Sequence, residues 1–321
     1  MKLTEDQAHK WTDRRLAAME SRLKTIYQRA DDELQVKMTD FFNKYAVEDA
    51  AKQKAVRQGK LSVDEYLRWR RTQLFIGDQW QAKKDMIAKM MYNVNQTALA
   101  YINGELPHIY AANFNSVGEL SPALKAVFPL VDADTVKNLA EKNKTFLPYK
   151  TVDKKKDIRW NTKKINAEIL QGILQGESIG KIATRLENVT TMNRISALRN
   201  ARTMVTSAEN KGRYDGRDRL ESMGVVIGDQ WIATHDKRTR HAHWDPKGGS
   251  MLDGQIVDHG TPFKVFYKKG KSYATGTIRY PGDPSAPPEL VYNCRCTTKT
   301  VIKGFKSILP PELQGKIKVN F

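Results

Sequence analysis

The sequence predicts a mainly α protein of the α+β class, with helical N-terminal and middle regions followed by a small β-rich C-terminal module. Three observations carry this. Apolar residues recur at helical spacing with no Gly or Pro before Gly59. Helix-opening signals then recur at Ser62, Asn161 and Ser178. After Gly224 the chain changes to short β-branched and aromatic runs separated by Gly-, Asp- and Pro-rich turns.

Residues 1–104 predict an N-terminal helical bundle or arm. Thr4 and Gln7 form a capping box, and an apolar stripe follows: Trp11, Leu16, Met19, Leu23, Tyr27, Leu34, Met38, Phe41 and Tyr45. Gly59 stops that helix, and Ser62 to Glu65 opens another with Tyr66, Leu67, Trp69 and Leu74. A third helix, from about Asp78 to Asn103, places Trp80, Ile87, Met91 and Val94 on one core-facing stripe. Residues 105–160 read as an irregular connector, because Pro107, Pro122, Pro129 and Pro148 divide it into short pieces around a brief helix at 133–143. The basic run Lys150–Arg159 marks a boundary.

Residues 161–224 predict a helical subdomain. Asn161 caps a helix carrying Ile165, Ile169 and Ile173 that ends at Gly176; Ser178 caps a shorter one; a third runs from about Thr191 to Met223. One face of the third is apolar, and the other carries Arg194, Arg199, Arg202, Arg213 and Arg217 with Thr206 and Asn210. Such a face fits contact with phosphates or simple solvation, and Arg295 joins the phosphate-facing candidates. Residues 225–302 form the β-rich module, with strands expected at 225–227, 230–233, 256–257, 263–267, 277–279, 290–292 and 297–302. A basic tail, 303–321, is broken at Pro310-Pro311.

The net charge of +18 favours polyanionic partners: nucleic acid or the acidic surface of another protein. Apolar runs fall short of a membrane span, and a charged start without a signal peptide predicts a protein kept in the cytoplasm or in something assembled there. Two cysteines at i and i+2 do not make a disulfide framework. No G-x-S-x-G, H-E-x-x-H or P-loop pattern occurs, so the prediction is a protein that is not an enzyme.

Four of the six histidines lie between His235 and His259, and the only cysteines are Cys294 and Cys296. In extended backbone, residues at i and i+2 share a face. His241, His243, Cys294 and Cys296 presented in this way could close a tetrahedral Zn²⁺ site that staples a small module. The competing reading is a polar knot in which these groups hydrogen-bond to backbone; a hydrolytic His/Asp constellation is a third. Asp236, Arg238 and Arg240 read as a structural polar loop, with the carboxylate capping the turn after a strand and pairing with guanidinium groups. No cofactor other than Zn²⁺ is suggested.

In this region the chain resembles the Mu F-like family of phage minor head (head morphogenesis) proteins. The likeness rests on Trp231 in a strand, then Asp236, Arg238, Arg240 and His243, then Leu252-Asp253-Gly254, and later Asn293-Cys294-Arg295-Cys296. Phe263, the Pro281-Gly282-Asp283-Pro284 turn and the Ala201-Arg202-Thr203 helix fit the same pattern, so about residues 160–302 are covered. The resemblance implies a virion protein inside the head near the portal, with portal protein and phage genomic DNA as partners, major capsid or scaffolding protein as further ones, and no membrane. Head assembly, DNA packaging or DNA delivery would be its role; the alternative is a metal-dependent nuclease or peptidase acting in head maturation. His235, His241 and His259 fall outside the family pattern, so a zinc site would be built first from His243, Cys294 and Cys296.

Overall fold

The computed structural model describes residues 2–235, 239–244 and 252–306. As expected, the protein is mainly α with a small β module. The helices are α1 (Glu5–Arg57), α2 (Val63–Arg71), α3 (Asp78–Val117), α4 (Pro122–Val127), α5 (Ala133–Lys142), α6 (Lys154–Leu174), α7 (Ile179–Ser222), α8 (His241–Trp244) and α9 (Pro288–Val291). The strands are β1 (Val225–Ile232), β2 (Ile256–Asp258), β3 (Phe263–Lys269), β4 (Ser272–Ile278) and β5 (Thr297–Phe305).

The local signals act as their chemistry requires. The Thr4 amide donates to the Gln7 side chain at 3.0 Å and Gln7 returns the bond at 3.4 Å, and Ser62 and Glu65 form the same reciprocal box. Gly59, at φ 69°, lets Lys60 N–H reach the Ala55 carbonyl at 2.9 Å while its own N–H reaches Val56, a left-handed cap that only glycine adopts without strain.

Four sequence expectations change. Pro107 lies inside α3 and does not end it. One missing N–H costs less than exposing the Ile102, Leu106 and Ile109 side chains, all 0% accessible on the continued helix. Asn161 is no cap: α6 starts seven residues earlier at Lys154, capped by Asp153, and Asn161 sits buried mid-helix, donating to Asp157 and accepting from Asn193. The two expected helices from 178 to 223 are one, α7, because no Gly or Pro interrupts Leu186–Arg194. Residues 290–292 form the end of α9 and a turn, not a strand, because Pro287 and Pro288 fix the backbone for a helical start.

Two compact units are interleaved along the chain: one contains residues up to Ala18, Ile102–Tyr149 and everything from Arg199; the other contains Met19–Tyr101 and Lys150–Leu198. The core of the second unit joins Leu34, Met38, Phe41, Trp80, Ile87 and Met91 to Ile165, Ile169, Ile182 and Leu186. Within it, Arg70 is 1% exposed, paired with Asp49 at 3.1 Å and donating to the Glu177 carbonyl.

In the first unit β1 is central, antiparallel to β2 on one side and β5 on the other, while β3 and β4 form a separate hairpin. Its module core comprises Trp231, Leu252, Phe263, Val265, Ile278, Leu290, Cys294 and Cys296. Here α7 crosses the C-terminal part of α3 at very short range. A Cβ on Gly212 would meet the Tyr110 carbonyl oxygen at 2.5 Å, and one on Gly216 the Phe114 carbonyl oxygen at 3.0 Å. Two glycines four apart let the two backbones touch.

Candidate metal centre

Three elements of the first unit converge on one buried point. The short helix α8 presents His243, the segment before β5 presents Cys294 and Cys296, and Trp231 of β1 backs them. His243 is 0%, Cys294 3% and Cys296 1% exposed. The His243 Nδ1 atom lies 3.6 Å from Cys294 Sγ and 3.5 Å from Cys296 Sγ, and the three ligand atoms fall within 4.8 Å of one another. The Trp231 ring meets the imidazole edge-on, centroids 5.1 Å apart.

The thiols are held there by a polar row on α7. The Thr203 hydroxyl accepts from the Asn293 amide at 2.9 Å, Thr206 donates to the Cys294 carbonyl at 2.6 Å, and Asn210 donates to the Cys296 carbonyl at 3.2 Å and accepts from the Thr298 amide at 3.1 Å. Spacing of three and four places these side chains on one helix face. Asn293 turns the chain at φ 61°, a left-handed conformation that Asn tolerates better than most residues. The other side is fixed by Asp253, which accepts from the Ala233 amide at 2.8 Å and pairs with His235 Nε2 at 2.8 Å, while its own amide donates to the His243 carbonyl at 3.0 Å.

The residues fit a thiophilic cation. A tetrahedral Zn²⁺ with bonds of about 2.05 Å to nitrogen and about 2.3 Å to sulfur separates those two ligands by about 3.6 Å, the spacing found here. Without a cation the ring is poorly served: Nδ1 faces two weak sulfur partners, and Nε2 is buried with no hydrogen-bond partner among the described residues. The hydrogen bond from Cys296, with the His243 ring beside it, holds the Cys294 thiol well below the usual thiol range; the same bond and burial push Cys296 up. Cys294 is therefore the more acidic of the two thiols.

Of the other sequence-predicted residues, Asp236, Arg238 and the His241 side chain lie outside the described residues. The Arg240 guanidinium donates to the Tyr292 carbonyl. Arg199 is exposed, whereas Arg194, Arg202 and Arg295 are half-buried. Arg213 and Arg217 are corrected: they are 1% and 0% exposed and face protein. Arg213 donates to the Thr298 carbonyl, the Glu5 carbonyl and Asn113. Arg217 donates to Thr298 and Thr300 and pairs with Asp229 at 3.1 Å and Glu5 at 3.3 Å. Their period matched a basic outer face, but α7 turns that face onto β5 and the start of α1.

Sequence reasoning passed over Thr203 and Asn210 as ligand supports, although their spacing with Thr206 was visible. It placed His259 only outside the family pattern and did not foresee its carboxylate partners. That ring is clamped by Asp229 and Asp218, each at 2.9 Å; burial would lower its pKa, yet the two carboxylates raise it to about 9.

Residues 163–299 match the family model described as Phage Mu protein F like protein. The chain carries a Mu F-like domain. All of the buried His/Cys/Cys cluster, and the α7 row that supports it, falls within that domain. The chain is 22% identical over 303 residues to the minor head protein GP7 of Bacillus phage SPP1, covering 94% of this chain and 87% of that protein. It is also 29% identical over 208 residues to the NAD(+)--arginine ADP-ribosyltransferase EFV of Enterococcus faecalis, covering 63% of this chain but only 38% of the transferase's length. No solved structure matches. Among the described residues, no helix is long and apolar enough to cross a membrane.

Proposed function

We propose that this protein is a non-enzymatic minor component of a phage head, located in the virion beside the portal and acting in head assembly, packaging or delivery of DNA. The observation that carries the reading is the end-to-end likeness to a minor head protein, 94% of this chain against 87% of that one. The net charge of +18 supports a place against densely packed DNA, and portal, capsid or scaffolding protein would be its protein contacts. The test is co-sedimentation: the tagged chain should travel with assembled heads and with isolated portal. Recovery only as free protein, with heads complete without it, would end the assignment.

Within this reading the buried cluster is a structural Zn²⁺ site held by His243, Cys294 and Cys296. The cation's contribution is cross-linking: it ties α8 to the strand-entry segment. Native mass spectrometry should find one zinc per chain, and chelation should lower the melting temperature. A chain that binds no zinc and melts unchanged in chelator would return the cluster to a hydrogen-bonded knot.

The likeness to the transferase favours a second, enzymatic reading. It spans 38% of that protein, so the rest of that protein has no counterpart in the match. Incubation with labelled NAD⁺ and an arginine acceptor is expected to yield no transfer. The purified chain should likewise cleave neither DNA nor head proteins when loaded with zinc; turnover abolished by His243→Ala would instead support the hydrolase alternative.

A further inference from the structure

The outward face of the β3–β4 hairpin carries chemistry that nothing above uses. Strand alternation buries Phe263, Val265 and Tyr267 at 0%, 1% and 5% exposure and turns Lys264, Phe266 and Lys268 outward. The register sets Thr277, Thr275 and Tyr273 opposite those three. Phe266 and Tyr273 stack with centroids 5.1 Å apart and planes within 6°, although they remain 38% and 60% exposed. At the tip, Gly270 at φ 62° makes the two-residue turn that joins the strands, with Lys269 before it and Lys271 after it.

The sequence keeps this ribbon free of negative charge. From His259 to Gly282 no Asp or Glu occurs, and Lys264, Lys268, Lys269 and Lys271 have no ion-pair partner among the described residues. Four mutually repelling cations around a solvent-facing aromatic pair cost stability in isolation. A ligand that is anionic along its length and flat between its charges relieves both costs. An acidic protein surface would answer the lysines but offers no flat partner to the rings.

We propose that this face, together with the hairpin tip, is a nucleic-acid-binding ribbon for unpaired strands: Lys264 and Lys268 on the face and Lys269 and Lys271 at the tip take phosphates, and the open face of Tyr273, backed by Phe266, takes a base. The inference rests on the reading that the protein lies beside DNA, and it names the surface that touches it. Paired bases cannot reach the rings, so the preference is for single strands or frayed ends over intact duplex.

The full-length protein is titrated against fluorescent oligothymidylate and against a duplex of equal length, with anisotropy as the readout and melting temperature as the check on folding. Tyr273→Ala should weaken oligothymidylate binding about tenfold while changing duplex binding less than twofold. Tyr273→Leu keeps the apolar bulk without the ring face and should behave as Tyr273→Ala does. Lys268→Gln with Lys269→Gln should reduce the slope of log affinity against log salt by about 1.4. If wild type binds DNA and all three variants bind equally well, the hairpin assignment is overturned while the DNA reading stands. If wild type binds neither DNA, both fall. Equal losses on duplex and single strand for Tyr273→Ala overturn the stacking. Intact DNA binding with lost capture of an acidic head protein makes the face a protein interface and overturns the proposal as well.

Discussion

The hydroxyl of Thr206 donates to the carbonyl of Cys294 at 2.6 Å, so a helix 88 residues upstream sets the backbone from which a cluster thiol projects. The Cys294 thiol then meets His243 at 3.6 Å. Thr206 touches no ligand atom of the cluster and acts through the peptide that carries one. Support of this kind fixes ligand direction, and its removal commonly weakens metal binding ten- to a hundred-fold.

Thr206→Val keeps the volume and removes the donor. With Thr206 3% exposed, no water replaces the lost bond easily, and the loss should be about 1–3 kcal/mol in chemical denaturation. Zinc retention against a competing chelator should fall by about ten-fold or more, and Thr206→Ser should restore it. A stability loss with unchanged zinc retention would show that the α7 row holds the backbone only.

What was legible in the sequence divides by range. The boxes at Thr4/Gln7 and Ser62/Glu65 involve partners three residues apart, and they form as read. The long apolar stripe also holds, since Met19, Leu23, Tyr27, Leu34 and Met38 are all buried. His243, Cys294 and Cys296 could be singled out as metal-ligand types, and the family likeness chose those three; that they meet depends on contacts across 51 and 53 residues. Pro107 was misread because the penalty is local and visible, whereas the burial that outweighs it is tertiary. Arg213 was misread because a buried and a solvated arginine share one helical period. Its partner Thr298 lies 85 residues away, and only the fold says which way the face turns.

Arg217 and Arg199 separate the two meanings of a basic helix. Arg217→Met leaves Asp229 and Glu5 buried at 1% and 6% exposure without their shared cation, so it should cost about 3–5 kcal/mol. Arg199→Ala removes an exposed charge and should change stability by less than about 0.5 kcal/mol while lowering any DNA affinity slightly. Urea denaturation of both variants decides this: a near-neutral Arg217→Met would mean that α7 does not dock on β5 through that residue.

Stability should depend on pH through His259. Its folded pKa, about 9, is above the ordinary 6.5 because Asp218 and Asp229 outweigh the burial that would lower it. The folded state therefore binds the extra proton more tightly. The contribution is complete below about pH 6.5 and is lost as pH rises through about 9. With Asp218 60% exposed the pairing is screened, and the effect should be on the order of 2 kcal/mol. His9, raised by Glu209, acts in the same direction. Melting temperatures between pH 6 and pH 10 should fall more steeply for wild type than for His259→Gln; parallel curves would remove His259 from the account.

Gly212 gives the most decisive single substitution, because local and tertiary effects predict opposite signs. In an isolated helix Ala is favoured over Gly by about 1 kcal/mol, so Gly212→Ala would stabilise α7 alone. In the folded unit the new methyl would meet the Tyr110 carbonyl oxygen at 2.5 Å and the Phe114 amide nitrogen at 3.2 Å, both backbone atoms that no rotamer change can move. Relief requires α3 and α7 to separate, and this also pulls Asn113 from Arg213, now 3.0 Å apart. The expected outcome is a net loss of at least about 2 kcal/mol, in the range of overpacking in a tight core. Gly104→Ala is the control: it lies on α3 with nothing within 4 Å of an added Cβ and should be neutral or stabilising. If Gly212→Ala also stabilised the protein, the close crossing of α3 and α7, and with it the seating of the α7 polar row against β5, would have to be abandoned.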